Sequence, residues 1–202
     1  MPRLAACALA LAAAAAPATG CGNDRAGSAN IFDSPASEGT QRLRYPDAGL
    51  AMVLPKPFVV TRAKAPQVFR ASLEDAFVSS FAYRRAEQLP RTDDQLRTAR
   101  DRLIDAAEKR DRSFRLASSR LTRAAGAPAI ELVGEQTISR GRLRLRSLHV
   151  YKGGAEYVVE LGAPAGDFRR LDRSTFPGIR RSLELTGRVE KATPKRRKRG
   201  GR

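Results

Sequence analysis

The placement of two cysteines most constrains how this chain of 202 residues can fold. Cys7 sits inside an alanine-rich apolar run and Cys21 directly follows Ala18-Thr19-Gly20, so neither falls in the long region from residue 44 onward. That region has no thiol for a disulfide, a zinc site or a nucleophile, and it must hold itself together by burying apolar side chains. Its length is ample for one hydrophobic core. The start of the chain has a different character. Arg3, an apolar stretch over residues 4–16 and then small residues have the layout of an export signal. The stretch is well short of the roughly 20 residues a bilayer-spanning helix needs. No later segment is apolar enough to supply one.

The pattern Ala18-Thr19-Gly20-Cys21 resembles the lipobox of bacterial lipoprotein precursors. In that family the cysteine thiol receives a diacylglycerol group and becomes the new N-terminus. The resemblance implies cleavage between Gly20 and Cys21, lipidation of Cys21, and an exported protein anchored to the bacterial cell membrane. Ala18 stands where leucine is commoner in the family. The alternative is a plain signal cleaved near Ala16-Pro17-Ala18, with Cys21 left as a free thiol.

Four segments are expected: a signal (1–20), a lipidated N-terminus and flexible linker (21–43), a folded region (44–187) and a basic tail (188–202). The linker is rich in Gly, Ser, Ala, Asn and Asp without helical or strand periodicity. About 20 flexible residues reach on the order of 25 Å. The folded region opens with a turn at Tyr45-Pro46-Asp47-Ala48-Gly49 and a strand over 50–55. Further strands are expected over 58–61, 77–83, 114–122, 129–137, 143–151 and 155–161, with Gly153-Gly154 turning the last hairpin. Thr92-Asp93-Asp94-Gln95 has the form of a capping box, and apolar residues then recur at helical spacing over 93–110. A second helical stretch, broken at Pro177, is expected around Phe168, Leu171, Phe176, Ile179 and Leu183.

Several phrases of the sequence belong together: 49–55 (GLAMVLP), Gly126-Ala127-Pro128-Ala129, Arg146-Ser147-Leu148-His149-Val150-Tyr151, Tyr157-Val158-Val159, and Ala163-Pro164 leading to Phe168 and Phe176. In this order they resemble the PsbP-like domain of photosystem-associated proteins and many bacterial lipoproteins, over residues 45–185. The resemblance implies an α+β fold, an α-β-α sandwich with a central antiparallel sheet. It also implies a binding or assembly role rather than an enzymatic one, and carries no functional residue over. This chain departs from the pattern in being far more basic, with a net charge of +17.

That charge gives the candidate anion-binding residues. Arg142, Arg144 and Arg146 alternate with Leu143, Leu145 and Ser147, the pattern of a sheet with one cationic and one covered face. In the tail, Lys195-Arg196-Arg197-Lys198-Arg199 has no apolar face and is expected to be disordered. It is either a solvated end or a surface for anionic lipids or acidic wall polymers, near which each basic residue contributes on the order of 1 kcal/mol. A protein partner is left unidentified. Nucleic acid is disfavoured, because an exported chain meets little of it, unless the signal is not cleaved. His149 is the only histidine, and Ser147 lies two residues before it. An envelope hydrolase using His149 is the catalytic alternative, although no nucleophile elbow accompanies it. No metal or cofactor is expected, since Asp93-Asp94 is explained by charge at a helix N-terminus.

Overall fold

The computed structural model describes residues 39–139 and 141–190. The lipobox-like segment with Gly20 and Cys21, and the basic run 195–199, lie outside the described residues. Among the described residues the order is β1 (Thr40–Tyr45), β2 (Leu50–Pro55), β3 (Val59–Arg62), β4 (Gln67–Leu73), β5 (Ala76–Arg84), α1 (Asp93–Arg110), β6 (Arg115–Ala124), β7 (Ala127–Ile138), β8 (Gly141–Lys152), β9 (Ala155–Pro164), α2 (Ala165–Ser182) and β10 (Glu184–Leu185). The strands pair antiparallel throughout. Seven form a sheet in the order β3-β4-β5-β9-β8-β7-β6, and β1-β2-β10 form a smaller one. The fold is α+β, an α-β-α sandwich around a central antiparallel sheet.

Alternation along β8 and β9 sorts side chains onto two faces. On one, Leu148, Val150, Tyr157, Val159 and Leu161 are buried with Leu50, Met52 and Leu54 of β2 and Phe176 and Ile179 of α2. The small sheet and α2 therefore cover that face together. Full burial of each such aliphatic side chain contributes about 1.5–3 kcal/mol. On the other face α1 lies against β6 and β7, where Leu96, Ala99 and Leu103 pack with Ile130 and Leu132.

The sequence dictates where α1 starts. The Thr92 side chain accepts from the Gln95 N–H at 3.3 Å, and Gln95 Oε1 accepts from the Thr92 and Arg91 N–H groups at 3.3 and 2.8 Å. A capping box of this kind satisfies donors the helix itself leaves open. Asp111 ends the helix in extended conformation.

The structure departs from the sequence-based expectation in four places. The linker does not run to residue 43, because residues 40–43 belong to β1, an edge strand in which Leu43 alone is buried and whose pattern is therefore polar. Beyond residue 187 the fold continues to Glu190, whose N–H donates to the Asp47 carbonyl at 2.8 Å, on the small-sheet side. No break occurs at Pro177: α2 runs through it, with Pro177 on the exposed side, where water can reach the carbonyl left without an N–H partner. Finally, β4 has no counterpart among the expected strands. Its Phe69 and Ala71 face the core while Arg70 and Ser72 face away, so only half the strand is apolar.

The arginine stripe of β8 is also not the open face its alternation suggests. Arg144 and Arg146 point under α2, where their guanidinium groups lie over the rings of Phe168 and Phe176 at 5.3 and 5.2 Å. Arg146 bonds Asp172 of α2 through Nε at 2.6 Å and Nη2 at 2.7 Å, and also binds Glu131 of β7. Glu131 is 3% exposed and is gripped by Arg120 and Arg180 as well. Arg142 is the exposed member, 3.1 Å from Glu135. Carboxylates on neighbouring elements pair with Arg142 and Arg146, and Arg144 rests on the Phe168 ring, in a stripe that looks solvent-facing when one strand is read alone.

Candidate functional site

Because α1 rests on β6 and β7, the same face of β5, β9 and β8 is left without a covering helix. A cleft of about 430 Å³ opens there, walled by α1 residues Leu103, Ala107 and Arg110. Two strand glycines shape its end. A Cβ on Gly162 would lie 2.4 Å from the Phe77 ring, and one on Gly134 would lie 2.3 Å from the Phe114 ring. The absence of side chains lets both rings lie down on the sheet. Phe81 and Tyr83 of β5 continue the aromatic wall, their rings stacked 6.2 Å apart.

The floor is polar. In the β5-β9-β8 register, Ser79 and Ser147 flank Glu160 on either side, and His149 follows Ser147 by two residues on the same face. Ser79 Oγ is buried without a hydrogen-bond partner. Among the described residues, Glu160 has neither a hydrogen bond nor an ion pair. Burial pushes its pKa above the ordinary carboxylate range, against the opposing pull of His149, Arg110 and Arg70.

Next to it, Glu156 shows the contrary arrangement. Its carboxylate accepts from Arg85 Nε at 2.9 Å and lies 2.8 Å from His149 Nδ1. Burial works to raise its pKa, yet the His149 and Arg85 interactions outweigh that and hold it below the usual value. Glu156 thus orients the imidazole through Nδ1, and no hydrogen bond joins His149 to Ser147 as a base and its nucleophile would require. Among the described residues no three His, Cys, Asp or Glu side chains group to hold a metal ion. No helix among them is long and apolar enough to cross a membrane.

Placed against solved structures, the chain matches the solution structure of cyanobacterial PsbP (CyanoP) from Synechocystis with a TM-score of 0.59. The fold is that of PsbP. The match covers 79% of this chain and 98% of CyanoP at 11% identity, so it speaks for architecture alone. LpqN of Mycobacterium tuberculosis, a protein involved in cell envelope biogenesis, aligns at a TM-score of 0.49 and 12% identity, over 72% of this chain and 90% of LpqN. The sequence matches no protein-family model, and no curated protein matches it.

Sequence reasoning found His149 but missed Glu160, Glu156 and the aromatic wall. Two signals were available. Gly134 and Gly162 interrupt otherwise apolar strands, a mark of close approach by another group. Glu156 and Glu160 interrupt the apolar run of β9, placing two carboxylates on one face of a strand that is otherwise largely apolar.

Proposed function

We propose that this chain is a lipid-anchored cell-envelope protein whose folded part is a non-catalytic binding domain, with the cleft beneath α1 as its binding site. The observation that carries the reading is the floor of that cleft. Glu160 lines it with no hydrogen bond or ion pair among the described residues, and Ser79, its cross-strand neighbour on β5, has a buried Oγ without a partner, as polar groups waiting for a ligand do. The anchor rests on the resemblance of 18–21 to a lipobox. The run Lys195-Arg196-Arg197-Lys198-Arg199 adds attraction to anionic lipids or wall polymers, since one lipid group plus a polybasic patch holds more firmly than either alone. Arg142 is the β8 arginine still open enough to join that surface.

Intact-mass measurement of the native protein tests the anchor, with a mature N-terminus at acylated Cys21 as the expected result. Pull-down from solubilised membranes then compares the mature chain with one ending at Glu190, whose N–H is bonded to Asp47. Both chains are expected to capture the partner. Membrane retention is expected to be firmer for the full chain, and that extra retention should fall as salt is added. The opposed reading is an envelope hydrolase, favoured by the orientation Glu156 gives His149. Hydrolysis by the wild type that His149→Gln abolishes while folding is retained would replace the binding-domain reading.

A further inference from the structure

Glu160 and the aromatic wall above it define a ligand more closely than an empty cleft does. Resting on the reading of the cleft as a binding site, we infer that it takes a protonated amine carried on an aromatic or aliphatic body. The juxtaposition is a partnerless carboxylate on the floor with the rings of Phe77, Phe81 and Tyr83 beside it.

The surrounding charges decide the sign of the ligand. Arg85 is taken up by Glu156, and Arg70 lies over the Phe77 ring at 4.0 Å rather than bonding Glu160. Arg110 stands at the wall formed by the last turn of α1. The protein thus surrounds Glu160 with cations yet bonds none of them to it. A neutral guest would complete the burial of that carboxylate and leave it without a bonded counter-charge. An anionic guest would add a further negative charge beside it. An ammonium supplies the directly bonded counter-charge that the neighbouring cations do not, and brings three donors. Glu160 and Ser147 are acceptors for them within one cross-strand pair. Arg70 already lies over Phe77 and Arg85 over Tyr83, so it is the Phe81 ring that can add cation–π attraction to the same charge.

The ligand body follows from the walls. Leu103, Leu132, Leu145 and Val158 are apolar, and the volume of about 430 Å³ lies in the range of small-molecule pockets. The assigned ligand is therefore a small monoamine with a hydrophobic body.

The test is calorimetric titration of the full mature chain with three probes of one shape: 2-phenylethylamine, 2-phenylethanol and phenylacetate. The amine is expected to bind at least ~10-fold tighter than the alcohol, about 1.4 kcal/mol, with phenylacetate weakest. Glu160→Gln is expected to erase the amine's advantage over the alcohol. The same substitution is expected to raise the melting temperature of the ligand-free protein, an outcome that separates a binding group from a structural one. Ser147→Val, which keeps the carboxylate, is expected to weaken the amine several-fold and serves as a second, independent variant. Equal binding of alcohol or phenylacetate and amine would overturn the assignment to a cation while leaving the binding-domain reading in place. Undiminished amine binding by Glu160→Gln would overturn it too. The converse result, a chain that binds the amine but captures no membrane partner, would support the amine site and sink the partner arm of the broader reading.

Discussion

The two faces of the seven-stranded sheet each hold a central carboxylate, and they treat it in opposite ways. On the α2 face, Glu131 is gripped by Arg120, Arg146 and Arg180, and Arg146 is held in turn by Asp172. Apolar clusters lie on that face beside the network. On the α1 face, Glu160 and Ser79 stand in the same sheet with no partner, beneath a helix that covers only half the strands. The same backbone can satisfy buried carboxylates, since it does so at Glu131 on one face and at Glu156, four residues from Glu160, on the other. The contrast teaches that the carboxylate left unbonded marks a position shaped for something other than stability.

That contrast can be broken or sharpened by substitution. Glu131→Ala leaves three arginines facing one another, and chemical denaturation is expected to show a loss of about 3–5 kcal/mol. A change of sign is expected at Glu160. A carboxyl whose folded pKa is raised favours the folded state below the ordinary glutamate pKa, and that contribution is lost as pH rises through the raised value. Glu160→Gln is therefore expected to gain stability over the wild type at pH 8 and to gain little at pH 4, measured by thermal melts at both. Glu156 runs the other way: its lowered pKa gives stability present above the ordinary value and lost as pH falls through the lowered one. Acid melts of Glu156→Gln should accordingly converge with the wild type.

Thr92→Ala removes one half of the capping box at the start of α1, with an expected cost of about 1 kcal/mol in urea unfolding. Because α1 forms a wall of the cleft, the same variant should also bind the amine probe more weakly. Arg142→Ala, at the exposed end of the β8 stripe, is expected to change stability by no more than about 0.5 kcal/mol. A larger loss there would mean that the stripe acts as one network after all.

Much of the architecture was legible wherever local chemistry and tertiary structure agree. Thr92 and Gln95 placed the start of α1, Gly153-Gly154 placed the β8–β9 hairpin, and β2 matched its expected span of 50–55. The resemblance to PsbP-like domains supplied the layer order that periodicity alone does not give. What escaped was information held between elements. β1 and β4 are half-polar strands whose identity comes from pairing with β2 and β5. The burial of Arg146 depends on Asp172, 26 residues away, and on Glu131 of the next strand. The candidate site was nearly invisible for a related reason. Glu160 is informative because nothing bonds it, and a sequence does not record the absence of a partner.

The bond from Glu190 to Asp47 has a consequence for access. With β1 and residue 190 side by side, the first and last described residues both lie on the layer that backs the large sheet. The cleft opens through the opposite layer. A molecule arriving at the doorway therefore meets neither end of the described chain.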